Sequence, residues 1–219
     1  SPHRGNTVPD ARIAAVLGGR AVEMSECSSR RIAVYGGSFN PIGNHHVDLV
    51  KALLKTERYG RVVVVPNGNA YRKAGLIHEK YRLAMCHLAL DGLEKVDVSD
   101  LETGFPPGEG VRDVDTLEAL RDIYPGAEFT SVRGADTLKD LLGFRTYGRL
   151  RKAVASFLIL PRDMGRRVAT LAGESAKLTG RKRTRFDRDR AMFRSFDAAC
   201  ATDGSSSDIR TRLSKGEPA

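Results

Sequence analysis

The sequence predicts an α/β protein built on a doubly wound parallel sheet, and three observations carry that expectation. Short apolar runs alternate with stretches of helical periodicity along most of the chain. The run Val62–Val65 is apolar without a break. A glycine turn joins the first strand directly to the first helix. Alternation of strand and helix at this spacing means βαβ units. An uninterrupted apolar strand is what a sheet covered on both faces requires.

Residues 1–29 read as an N-terminal extension, in which 10–16 can form a short helix with Asp10 as N-cap and Gly18-Gly19 as its stop. The domain runs over 30–219. Its first strand is expected at 31–35, followed by a helix at 44–57 with Val47, Val50, Leu53 and Leu54 at helical spacing. Further strands are expected at 62–65, 96–98, 129–133 and 155–160, with helices at 78–90 and 115–123 and another beginning at 137. Residues 165–190 are the most charged stretch. Arg181 to Phe186 resembles a nucleic-acid patch in isolation, but a solvated loop or helix face beside a nucleotide site is preferred, because Phe186, Phe193 and Phe196 are spaced like a packing face. Residues 206–213 read as a small C-terminal helix opened by serines.

Composition narrows the function without deciding it. The chain has 219 residues, 41% of them hydrophobic, enough for a sizeable core. Thirty-six Lys and Arg against 27 Asp and Glu leave a formal charge of +9, which suits a phosphate-rich partner, polymer or nucleotide, and equally a solvated basic surface. No apolar run is long enough to span a bilayer, and the first residues lack a secretory pattern, so no membrane is expected. Three cysteines without a close pair argue against a disulfide framework or a zinc site and fit a reducing, cytoplasmic setting. No protein metal ligands are expected.

Two segments carry chemistry. Tyr35-Gly36-Gly37-Ser38-Phe39-Asn40-Pro41-Ile42-Gly43-Asn44-His45-His46 leaves a buried strand, turns through two glycines and enters a helix. Glycines let backbone approach a ligand closely, and the free N–H groups of a helix start face an anion. A histidine in the first turn can donate to it. The second segment, Gly204-Ser205-Ser206-Ser207-Asp208-Ile209-Arg210, sets hydroxyls and a forked cation at another helix start.

Together, Gly36 to Ile42 with His46, and Ser205 to Arg210, resemble the two signature motifs of the nucleotidylyltransferases, and more narrowly those of nicotinamide or nicotinate mononucleotide adenylyltransferases. Pro66 to Leu76, Asp115-Thr116-Leu117 and Gly134-Ala135-Asp136 are similar to further segments of that group, in the same order, from about residue 30 to 216. The resemblance implies a Rossmann-like sheet and direct transfer of a nucleoside monophosphate from a nucleoside triphosphate to a phosphate-bearing small molecule, with pyrophosphate released. By the same resemblance His46, Lys73 and Arg210 are catalytic, and Gly36, Gly37, Ser38, Phe39, His45, Gly134, Asp136, Ser205 and Ser206 bind the nucleotide. Asn69, Tyr71, Thr116 and Phe144 would meet the acceptor, and Mg²⁺ would bridge triphosphate oxygens. ATP with a pyridine mononucleotide is the leading substrate pair.

The chain departs from the pattern at Gly43, where the group has His or Thr, and at His45, where it has a smaller residue; it also lacks tryptophan. His45 could supply the missing donor or reshape the base pocket, and Phe144, Phe105 or Tyr147 could replace a stacking ring. Two alternatives follow: transfer of CMP from CTP to a phosphonate or other phosphorylated metabolite, and a non-catalytic nucleic-acid-binding module. Nucleic acid is the disfavoured partner, and oligomeric state is left open.

Overall fold

The computed structural model describes residues 30–69, 75–105, 112–163 and 168–196. The N-terminal extension and the second signature segment therefore lie outside the described residues, together with Tyr71 and Lys73.

Six parallel strands form one sheet in the order β3-β2-β1-β4-β5-β8. The strands are β1 (Arg31–Gly37), β2 (Arg61–Pro66), β3 (Val96–Val98), β4 (Glu128–Gly134), β5 (Ser156–Leu160) and β8 (Phe193–Ser195). The chain steps outward from β1 through β2 to β3, then returns to the other side of β1 with β4 and continues to β5 and β8. The direction reverses between β1 and β4, so a crevice opens there beyond the carboxyl ends of these strands. A two-stranded antiparallel hairpin, β6 (Arg162–Asp163) with β7 (Val168–Ala169), follows β5.

The strand residues alternate between two apolar layers, as the two-residue pleat demands. Ala33, Tyr35, Val62, Val64, Val132 and Leu158 pack against α1 (Asn44–Lys55) and α2 (Glu79–Leu90) through Leu49, Val50, Leu53, Cys86 and Leu90. Ile32, Val34, Val63, Val65, Phe129, Phe157 and Ile159 join the opposite layer, with α3 (Asp113–Ile123), α4 (Leu138–Gly143), α5 (Tyr147–Ala153), α6 (Leu171–Ala176) and α7 (Gly180–Arg188). All four valines of β2 are buried, which is why that run carries no polar position.

The expected elements are present with shifted ends. β1 runs two residues further, into both glycines, and α1 stops at Lys55. Residues 135–137 form a 3₁₀ turn ahead of α4. Helices α5 and α6, the hairpin and β8 were not expected. The basic stretch is a helix face, α7, and none of its residues lines the crevice. It packs beside α4 instead, where Arg185 donates to the carbonyls of Leu142 (2.6 Å) and Phe144 (3.1 Å). The aromatic spacing does mark packing: Phe186 and Phe193 are buried with ring centroids 5.1 Å apart. Among the described residues no helix is long and apolar enough to cross a membrane.

Candidate active site

A cavity of about 350 Å³ occupies the crevice at the reversal point, a size ordinary for a small-molecule site. Its floor is the end of β1. Gly36, Gly37, Ser38 and Phe39 all line it, as the sequence predicts. A side chain at Gly37 would crowd the Phe39 ring, whose atoms come within 3.0 Å of the position a Cβ would take. Phe39 itself has a positive φ of 42°, a left-handed conformation uncommon for a bulky residue. That turn tucks its ring under β1, edge-on to Tyr35 at 5.3 Å and to His46 at 5.1 Å.

His46 sits in the first turn of α1, buried, and lines the cavity. Its Nδ1 accepts the Gly43 N–H at 3.0 Å, while its own N–H donates to the Gly43 carbonyl at 2.9 Å. Burial, then the neighbouring His45, then Arg162 push its pKa down to about 3. The ring is therefore neutral at ordinary pH. With Nδ1 used as an acceptor the proton resides on Nε2, leaving an N–H donor for an anion in the cavity. Gly43 thus replaces a side-chain cap with a reciprocal backbone-to-ring pair.

His45 does not line the cavity. It packs against His46 with the rings tilted by 41° and their centroids 3.7 Å apart, and acts on the site through that ring. Next to His46 on α1, it is outside the cavity lining that His46 belongs to.

On the other side of the crevice Gly134, Asp136 and Thr137 line the cavity at the end of β4. A Cβ at Gly134 would crowd the Asp136 carboxylate, which folds back over the strand end and would have to shift. Thr116 also lines the cavity, its hydroxyl donating to Glu102 Oε1 at 2.9 Å.

Two expected acceptor residues are placed elsewhere. Asn69 is not part of the lining; its N–H donates to Glu79 (2.5 Å) and its Oδ1 accepts from Arg82 (3.2 Å), so it braces the loop after β2. Phe144 ends α4 and lies outside the lining, on the side where Arg185 reaches its carbonyl. Tyr147 cannot serve as a stacking ring either. It is fully buried, with its hydroxyl donating to Asp189 at 2.9 Å. Phe105 is likewise absent from the lining.

The structure adds residues that the sequence reading missed. Asn67 and Leu76 line the α1 side, and Arg162 closes the cavity directly after β5. Glu102, Asp113, Ser131 and Arg133 line the α3 side. Arg162 stands just beyond a strand's carboxyl end, the one signal that could have found it. Among the described residues no group of three or more His, Cys, Asp or Glu side chains could hold a metal ion.

A doubly wound sheet with a glycine turn, a neutral histidine donor and a carboxylate around one crevice defines a nucleotidylyltransferase-type protein. The chain matches the cytidylyltransferase-like family over residues 34–212 and belongs to it. It is 36% identical over 123 residues to a protein of Fusobacterium nucleatum named "probable nicotinate-nucleotide adenylyltransferase", a match covering 55% of this chain and 62% of that relative. A protein of the same name in Flavobacterium johnsoniae is 32% identical over 119 residues, 53% of this chain and 61% of the relative. The matched stretch thus spans somewhat under two thirds of these relatives. In fold, the chain is similar to the nicotinic acid mononucleotide adenylyltransferase of Plasmodium falciparum solved with NaAD, at a TM-score of 0.60 and 19% identity over 86% of each chain.

Proposed function

We propose that this protein transfers the adenylyl group of ATP to a pyridine mononucleotide and releases pyrophosphate. The observation that carries the reading is the convergence of Gly36, Gly37, His46 and the Gly134–Asp136 turn on one cavity at the reversal point of the sheet. The names of the relatives support adenylyl over cytidylyl transfer, although the family as a whole is named for cytidylyl transfer.

The reaction has modest demands. An oxygen of the acceptor's phosphate attacks the α-phosphorus of ATP, the bond to the bridging oxygen breaks, and pyrophosphate leaves with its electrons. Alignment and stabilisation of charge supply the rate. The N-terminus of α1 and the His46 Nε2–H would meet the α-phosphate. Arg162 adds a permanent cation at the same mouth. Asp136, in the lining, would accept from a ribose hydroxyl. Lys73, Arg210, Ser205 and Ser206 would hold the outer phosphates, with Tyr71 beside the acceptor. Mg²⁺, which neutralises phosphate charge when bound, would take its ligands chiefly from the triphosphate.

The test is pyrophosphate release by the full chain with Mg²⁺, crossing ATP and CTP with nicotinamide mononucleotide, nicotinate mononucleotide and a small phosphonate. Turnover with ATP and a pyridine mononucleotide is expected. Turnover only with CTP, or only with the phosphonate, overturns the reading.

A further inference from the structure

Helix α7 and the residues it packs against carry a positive surface that the crevice does not use. Five of the nine residues of α7 are Arg or Lys, and one is acidic. Helical spacings of four and three set Arg181, Arg185 and Arg188 along one flank. Asp187 lies on another, where Arg183 holds it at 2.8 Å. The positive flank continues onto the end of α4 and onto α5. Arg185, besides donating to the Leu142 and Phe144 carbonyls, lies over the Tyr147 ring at 5.2 Å. Arg145, the residue after Phe144, is exposed. Lys182 crosses Gly143, its Nζ 3.1 Å from where a Cβ there would stand. Arg188 and Arg151 share the Asp189 carboxylate, at 2.7 and 2.9 Å, so two guanidinium charges meet one negative charge. Arg145, Arg181 and Lys182 make no ion pair or hydrogen bond among the described residues. None of these cations lines the crevice.

We propose that this face of α4, α5 and α7 binds the phosphodiester backbone of a nucleic-acid duplex, a second function that does not rest on the reading above. Nucleic acid, disfavoured on sequence as a partner of the site, enters here on a separate surface. Unmatched cations gathered on one face attract a polyanion, and each phosphate they neutralise frees condensed counterions. Five of the six cations on this face (Arg145, Arg151, Arg181, Lys182, Arg185 and Arg188) are arginines, whose forked donors match phosphate oxygens. The one aromatic side chain of α7, Phe186, is buried beneath it. The helix therefore offers neither an apolar face for lipid nor a ring on which single-stranded bases could stack. What it offers is contact with backbone, which positions a duplex without reading its bases.

The experiment titrates a labelled DNA duplex of about 20 base pairs with the full chain and follows anisotropy from about 50 to about 250 mM KCl. Binding that weakens with a log–log salt slope of about −4 is expected, at ~0.9 per phosphate contacted. Arg145→Ala, Arg181→Ala and Lys182→Ala together should weaken binding at least tenfold at the lowest salt and reduce the slope by about 2–3. The control removes the same charge elsewhere. Lys51→Ala, Lys55→Ala and Arg58→Ala together, all exposed at the far end of α1, should leave the affinity within about twofold. Absence of binding at the lowest salt overturns the inference, as does a loss no larger in the first triple variant than in the control. Displacement of the duplex by Mg²⁺-ATP at constant ionic strength would put the polymer in the crevice and overturn it too. Equal affinity for polyglutamate or for anionic vesicles would make the partner an acidic protein or a membrane, with the same result.

Discussion

The proton on His46 is held at one nitrogen by a single backbone contact. Because the Gly43 N–H occupies Nδ1, the imidazole is available to phosphate only as an Nε2–H donor, and its depressed pKa keeps it a neutral one. A charged donor would bind ground-state triphosphate tightly; a neutral one contributes most where charge accumulates on the reacting oxygens. Replacing His46 by alanine removes that donor and should lower kcat about 10²–10³-fold, the range found when one oxyanion donor is lost, with little change in KM for ATP; steady-state kinetics decide. His45 should matter less. Removing its ring takes away one of the influences that lower the His46 pKa, with burial still dominant, so His45→Ala should keep most of the activity at neutral pH. A drop as large as that of His46→Ala would show that His45 reaches substrate itself.

At the scale of elements, the first turn of α2 acts as a bracket for the loops around the crevice. Arg82 is fully buried and donates to the carbonyls of Ser38 (2.6 Å), Asn67 (2.6 Å) and Ile77 (2.8 Å). One turn earlier, Glu79 accepts the N–H groups of Asn69 (2.5 Å) and Gly104 (2.7 Å). The ends of β1 and β2 and the loop after β3 are thus tied to one helix end. Arg82→Ala would leave three carbonyls without their donor and a hole behind them, so a loss of at least ~3 kcal/mol is expected by denaturant unfolding; Arg82→Lys should recover only part, because one ammonium cannot reach three acceptors. Gly68 makes a related demand. A Cβ there would collide with the Glu102 carbonyl, so Gly68→Ala must push the loops after β2 and β3 apart and should lower the midpoint of denaturant unfolding. This bracket explains what could and could not be read from sequence. The glycine turn and β2 were legible because each is written in consecutive residues. Thr116 was legible through its motif, but its pairing with Glu102 and the place of Arg133 were not, since Glu102 meets a partner 14 positions away through the packing of α3. Phe144 misled for the same reason: its identity suits a stacking ring, but the short α4 ends where α7 packs, and the residue is left beside Arg185. Helix α5 escaped notice because it is only seven residues long, contains Gly148 and offers just Tyr147, Leu150 and Ala153 to the core.

For the molecule as a whole, the sheet separates two buried titratable groups whose effects on stability oppose each other. His46, near α1, has its pKa lowered to about 3, so between pH 3 and its ordinary value of 6.5 the unfolded chain binds the extra proton, and stability falls as pH drops through that window. Glu102, near α3, has its pKa raised from 4.5 to about 7, so between those values the folded chain holds the extra proton, and stability falls as pH rises. The two slopes have opposite sign over the shared interval from pH 4.5 to 6.5, and the wild-type profile there should be nearly flat as far as these groups determine it. Removing either one unmasks the other. Glu102→Gln should give a melting temperature that climbs steadily from pH 4.5 to 6.5, and His46→Gln one that declines from pH 4.5 to 7. Thermal unfolding of the three proteins across pH 4–8 is the check. If both variants kept the wild-type profile, neither group would be buried in the ionisation state assigned to it, and the neutral histidine donor would lose its basis. If only His46→Gln departed from wild type, the ionisation state assigned to His46 would stand and that assigned to Glu102 would not.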